Sequence, residues 1–119
     1  MARNRQVLEA ATDAQGRQFT ILDLPECDEV LDSPLALRTH GEFCNSYLNF
    51  YLTNGGGLVA PAFGCPSDHT TREILQEAFP EREVIMVDIT GIACGGGGIH
   101  CITQQQPALI SSCKAEPHK

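Results

Sequence analysis

Basic residues are scarce in this sequence: eight Lys and Arg stand against 15 Asp and Glu in 119 residues, a formal net charge of −7. That imbalance argues against nucleic acid as a partner and leans toward a cationic ligand, although an acidic surface is also simply a soluble one. Long apolar runs are missing as well. No stretch approaches the roughly 20 residues of a membrane span, and the opening MARNRQVLEAATD lacks the apolar centre of a secretory signal. The expectations are no membrane partner and, by default, a cytoplasmic location. The third absence is cysteine pairs at metal-binding spacing. Cys27, Cys44, Cys65, Cys94, Cys101 and Cys113 include no CxxC pair, and His100 is the only histidine that adjoins one of them. Neither a structural zinc pattern nor a disulfide framework fits, so mostly free thiols are expected.

What remains is ordinary for a globular chain, with 42% hydrophobic and 19% charged residues, enough for one domain or part of one. The informative stretch is GGGGIHCITQQQP, Gly95 to Pro107. Four consecutive glycines forgo side-chain packing and cost backbone entropy, which makes sense where the chain turns sharply or approaches something closely. Ile99, Ile102 and Thr103 then predict a short strand carrying Cys101. Two readings stay open on the residues alone: a nucleophile presented beside free amides, or a loop followed by a buried structural thiol.

Upstream, Val7, Leu8, Ala10 and Ala11 share one side of a helix over Asn4 to Asp13, with Gly16 beyond its end. Phe19 to Leu24 reads as a strand ended by Pro25, and Pro25 to Cys44 as a long polar connection. Tyr47 to Leu52 alternates, placing Leu48, Phe50 and Leu52 on an apolar face and Tyr47, Asn49 and Tyr51 on a polar, aromatic one. Asn54 to Gly57 supplies a tight turn into a second strand, Leu58 to Phe63, whose Pro61 marks an edge or a strand end. After a turn at Gly64 to Asp68, Thr70 and Glu73 suggest a capping box for a helix with Ile74, Leu75, Ala78 and Phe79 on its apolar face. Pro80 ends it, and Val84 to Val87 reads as a strand buried on both faces. The order from Tyr47 to Asp88 is strand, strand, helix, strand; residues after Gln106 read as a frayed tail in which Cys113 is incidental.

SYLNFYLTNGG (Ser46 to Gly56), PAFGCP (Pro61 to Pro66) and GGGGIHCITQQQPA (Gly95 to Ala108) together resemble the C-terminal third of agmatine deiminases, members of the guanidine-modifying superfamily. The resemblance runs from about Arg3 to Ala108. It implies an α/β fold, a partial pentein-like α/β propeller of about two strand-strand-helix-strand modules with the first incomplete. Residues 1–24 would be the tail of that module, 25–46 a connecting loop, 47–108 a complete module with the glycine loop and nucleophile strand, and 109–119 a disordered tail. By the same resemblance Cys101 is the nucleophile that attacks the guanidinium carbon of agmatine, releasing ammonia and leaving N-carbamoylputrescine, with no cofactor. Gly97 and Gly98 are the substrate-contacting candidates beside it. The family's general-acid histidine and substrate carboxylates lie in modules outside this stretch. His100, next to Cys101 on the expected strand, faces the other way and reads as a hydrogen-bonded structural histidine. His40 and His69 read as solvated, and Asp68 and Glu73 as helix-capping groups.

The chain departs from the family where Gly98 replaces an Asn before the Ile-His-Cys, where Cys65 replaces the Asp of Gly-Asp-Pro, and in a turn one glycine longer at Asn54 to Gly57. These departures fit either a divergent paralogue or a remnant free of catalytic constraint. The leading expectation is therefore an agmatine deiminase portion, weak or inactive alone, its partners being a small cationic guanidine and the complementing N-terminal modules. A second is a non-catalytic remnant that self-associates or binds a partner through unpaired strand edges. A third, weaker one is a thiol or metal site from Cys94, His100 and Cys101.

Overall fold

The computed structural model describes residues 2–108; the expected tail over residues 109–119, with Cys113, lies outside the described residues. Helix α1 (Ala2–Ala10) opens the chain, and a tight turn follows in which Asp13 accepts the amides of Gln15 and Arg17 while Gly16 takes φ +77°. A 3-10 turn (Asp28–Asp32) and a short helix α2 (Pro34–Leu37) precede the sheet. The sheet has three strands in the order β1 (Tyr51–Leu52), β2 (Gly57–Ala62), β3 (Glu83–Asp88), with helix α3 (Ser67–Ala78) between β2 and β3 and a short helix α4 (Thr90–Ala93) after β3. Among the described residues no helix is long and apolar enough to cross a membrane.

The expected order of strand, strand, helix, strand is present. β1 pairs antiparallel with β2 through the Asn54 to Gly57 turn, and β2 pairs parallel with β3 in the register Leu58 with Val84, Val59 with Ile85, and Ala60 with Met86. Period-two alternation sends Leu58, Ala60 and Val84 to one face, where Leu75 of α3 closes a small core. Pro61 sits near the end of β2, past the two residues that pair with β1, so its missing N–H costs that ladder nothing. The larger core gathers Cys27, Val30, Ala36, Phe43, Tyr47, Phe63, Ile89, Ala93 and Ile99. Four of these come from the segment read as a polar connection, which packs its few apolar residues inward.

Several expectations change. Phe19 to Leu24 forms no strand, and Phe19 and Leu22 are exposed: no neighbouring strand pairs with their backbone. The strand at Tyr47 shrinks to two residues, because Ser46 to Asn49 turns instead, burying Tyr47 to 1% exposure and leaving Leu48 70% exposed. β3 is not covered on both faces; Ile85 and Val87 remain 44% and 41% exposed because only α3 packs on the sheet there. Helix α3 begins at Ser67, ahead of the expected capping box, and Thr70 caps nothing. Asp68, expected as a capping group, does not cap α3 either; its carboxylate reaches back to the turn before the helix and accepts the amides of Phe63 (3.0 Å), Gly64 (2.8 Å) and Cys65 (3.2 Å) and the hydroxyl of Tyr47 (2.6 Å). Glu73 instead faces His69 at 3.4 Å on the exposed side of the helix.

The thiols also differ from expectation. Cys27 and Cys65 are joined as a disulfide with Cα atoms 6.3 Å apart, whereas Cys44, Cys94 and Cys101 are free. Folding brings the two sulfurs together beneath Tyr47 and Phe63, a proximity that a sequence separation of 38 does not announce.

Cross-linking positions 38 residues apart constrains the unfolded chain by about 4 kcal/mol in the chain-entropy account. Thermal melts with and without a reductant should therefore show a lower Tm on reduction, and a Cys65→Ser variant should melt at the reduced value and ignore the reductant. A second expectation concerns Tyr47, whose phenol is pushed above its ordinary pKa by burial and by the hydrogen bond to Asp68. Above about pH 10 the unfolded chain sheds this proton while the folded chain keeps it, so stability falls as pH rises. Denaturant titrations at pH 8 and 11 should show that loss in the wild type and a smaller one in Tyr47→Phe.

Candidate functional site

The site grows from the exit of β3. Asp88 caps α4 by accepting the amide (2.9 Å) and hydroxyl (2.6 Å) of Thr90. The chain then leaves α4 through the amides of Gly95 and Gly96, which donate to Ile92 and Ala93. Gly96 adopts φ +78°, the left-handed region that glycine enters without strain, and a Cβ there would lie 3.2 Å from the Glu42 carbonyl oxygen. Ile99 plunges into the core and pins the loop's far end.

From His100 to Ile102 the backbone makes one 3-10 turn, not the expected strand. The cause lies 52 residues upstream: the Asn49 carboxamide oxygen accepts the amides of His100 (2.7 Å) and Cys101 (3.3 Å), bending the chain around itself. The Asn49 main-chain carbonyl accepts His100 N–H as well, at 3.2 Å. Thr103 closes the turn by donating its amide and hydroxyl to the His100 carbonyl oxygen. Beyond it the glutamine run lies along β1, its carbonyls accepting from the Tyr51 hydroxyl at Gln104 and the Asn54 carboxamide at Gln106.

Cys101 is therefore exposed, and the buried-thiol reading falls. Its sulfur accepts a hydrogen bond from Asn49 Nδ2 at 3.2 Å. That bond, with another from the Gly98 amide, holds the thiol below its ordinary pKa by favouring the anion. Gly97 and Gly98 sit at the centre of this arrangement. A Cβ on Gly97 would come within 3.0 Å of Cys101 Cβ and Sγ, and one on Gly98 within 2.9 Å of Asn49. The two glycines admit the site's own side chains, which explains why residues without side chains stand there.

His100 does not point into the core; it is exposed, with Nε2 3.1 Å from Gln105 Nε2 and its ring tilted toward Tyr51. Its hydrogen-bonded character is as expected, its strand setting is not. Cys94, His100 and Cys101 are not brought together as ligands: the Cys94 thiol donates to the Thr90 carbonyl oxygen at 3.3 Å. Among the described residues, the three potential ligand side chains within mutual reach are Cys27, Glu29 and Cys65, whose two sulfurs are bonded to each other. A groove of about 430 Å³ between α1 and residues 21–26 includes Leu8, Ile21 and Leu48 but no residue of the glycine loop. Sequence reasoning missed Asn49 as a site residue, although its place on the polar face between Tyr47 and Tyr51 was the available signal.

Comparison with known proteins places the whole chain among deiminases. The agmatine deiminase of Pseudomonas fluorescens is 41% identical over 95% of this chain and 32% of its own length. That of Pseudomonas aeruginosa is 43% identical over 86% of this chain and 31% of its own. The solved agmatine deiminase of Enterococcus faecalis superposes with a TM-score of 0.70 and 26% identity, covering 90% of this chain and 32% of the other. The chain thus spans about a third of the length of the curated relatives it matches. Residues 1–107 match the Porphyromonas-type peptidyl-arginine deiminase family, and the chain belongs to that family.

Proposed function

We propose that this chain carries the nucleophile-bearing third of an agmatine deiminase, a hydrolase of guanidino C–N bonds, with 47–108 as a complete propeller module and 1–24 as the tail of another. The observation that carries the reading is the exposed Cys101 thiol, held toward its anion by Asn49 and the Gly98 amide within a segment shared with agmatine deiminases. A guanidinium carbon is a weak electrophile, so it needs a thiolate rather than a hydroxyl. The sulfur adds to the carbon, the C–N bond to one terminal nitrogen breaks, and that nitrogen leaves as ammonia with a proton from a general acid. Water then adds to the thiouronium carbon and the C–S bond breaks. Ureido product and free thiolate result, which for agmatine means N-carbamoylputrescine. The Gly97 and Gly98 backbone flanks the reacting sulfur and is the part of the loop that would meet the guanidinium. The net charge of −7 suits a cationic substrate. The acid and the carboxylates that grip the guanidinium come from complementing modules, so the isolated chain turns over little.

An ammonia-release assay on agmatine tests this. The chain alone should be near background, the chain with complementing modules active, and Cys101→Ala in that complex at least about a thousandfold slower. Restored turnover that survives Cys101→Ala would sink the reading.

A second reading, association without catalysis, is favoured by the open face of β3 at Ile85 and Val87. It expects a dimer or larger species in sedimentation, dispersed by Ile85→Lys. A wild-type monomer at micromolar concentration would count against it.

A further inference from the structure

We infer that Asn49 is a positioning residue for Cys101, one end of its carboxamide building the turn that carries the thiol and the other steering the sulfur toward its thiolate form. The inference rests on the reading of Cys101 as the nucleophile. Its geometric basis is a single planar group with two jobs. The oxygen meets the amides of His100 at 2.7 Å and Cys101 at 3.3 Å, and the nitrogen meets Sγ at 3.2 Å. Chemistry settles which end faces which partner. Main-chain amides donate and cannot accept, so the carbonyl oxygen must face them and the NH2 group must face the sulfur.

A turn cap needs only the first of these contacts. An Asp, Ser or Asn accepting two amides would hold the His100 to Ile102 turn equally well. The second contact is what a merely structural residue has no reason to make. It places a donor on a sulfur that is exposed to solvent, where the thiolate is the form that gains from a donor.

Two further features hold the carboxamide in place. Its own segment is locked from behind: Tyr47, two residues earlier, is buried and fixed by the carboxylate of Asp68 at 2.6 Å and the hydroxyl of Ser67 at 2.8 Å. Space in front is provided by Gly98, where a Cβ would lie 2.9 Å from the Asn49 side chain. Hydrogen bonds therefore tie the first turn of α3 to Tyr47, two residues of backbone carry that restraint to Asn49, and the carboxamide passes it to the thiol.

The test separates the two ends of the carboxamide. Asn49→Asp retains an oxygen for the two amides but replaces the donor at sulfur with a negative charge. In the full chain, the rate of Cys101 alkylation by iodoacetamide is measured against pH, with peptide-resolved mass spectrometry to exclude Cys44 and Cys94. The wild-type midpoint should lie below that of a free cysteine, about 8.5. In Asn49→Asp it should rise by a unit or more, with circular dichroism unchanged. A one-unit rise slows alkylation at pH 7 by only about threefold, because the more basic thiolate is also the better nucleophile. The midpoint is therefore the readout. A midpoint that stays put in folded Asn49→Asp overturns the inference. Should that variant unfold, the wild type decides: the side-chain amide resonances of Asn49 in a ¹⁵N spectrum should titrate together with Cys101, and resonances that ignore the thiol overturn it. Agmatine turnover is read separately. A shifted midpoint in a chain that never hydrolyses agmatine, even with complementing modules, would remove the deiminase reading and leave the positioning role intact.

Discussion

The carboxylate of Asp68 joins the parts of the chain on which the site depends. It accepts three consecutive amides from the end of β2, sits in the first turn of α3, and receives the hydroxyl of Tyr47 from a segment 21 residues earlier. Charge-assisted hydrogen bonds of this kind are each worth about 1.5–3 kcal/mol, more than the neutral bonds of the short β1 ladder. Tyr47 is buried against Phe63 with ring centroids 5.3 Å apart, so the carboxylate and the aromatic core fix it from two directions. With Tyr47 fixed, the turn from Ser46 to Asn49 has one orientation, and Asn49 is presented to the chain 52 residues further on.

The second half of the site answers that presentation. Ile99 enters the core and anchors the glycine loop, and the next two amides turn onto the Asn49 oxygen. The glycines supply clearance: Gly97 for the sulfur, Gly98 for the carboxamide. A thiol that would otherwise continue along an apolar strand is thereby turned to solvent beside hydrogen-bond donors. The turn leaves the sulfur accessible to solvent, and the 430 Å³ groove lies elsewhere. An open half-site of this type fits a chain that spans about a third of its relatives.

What was legible in the sequence was what short-range pattern controls. The glycine turn and alternation produced the hairpin, the 3.6-residue period of Ile74, Leu75 and Ala78 produced α3, and an apolar run produced β3. Cys101 was legible through the motif that surrounds it. Features set by distant partners were not. The expected nucleophile strand becomes a 3-10 turn because Asn49 captures its amides, and Tyr47 is drawn inward by Asp68, which reverses the expected burial of Tyr47 and Leu48. The Cys27–Cys65 disulfide likewise joins segments that carry no pairing signal. Phe19 to Leu24 shows the converse, since a strand-like pattern without a paired backbone stays irregular.

On the proposed reading the fold, and not the mere presence of a thiol, makes Cys101 reactive toward a guanidinium-like group. The direct measurement is the rate at which a haloacetamidine, a cationic alkylating mimic of a guanidinium, adds to Cys101 in the folded chain and in the same chain unfolded in urea, read by peptide mass spectrometry. Addition at Cys101 should be faster in the folded chain than in the unfolded one, with Cys44 and Cys94 showing the opposite order. Equal or faster addition at Cys101 after unfolding would contradict that reading.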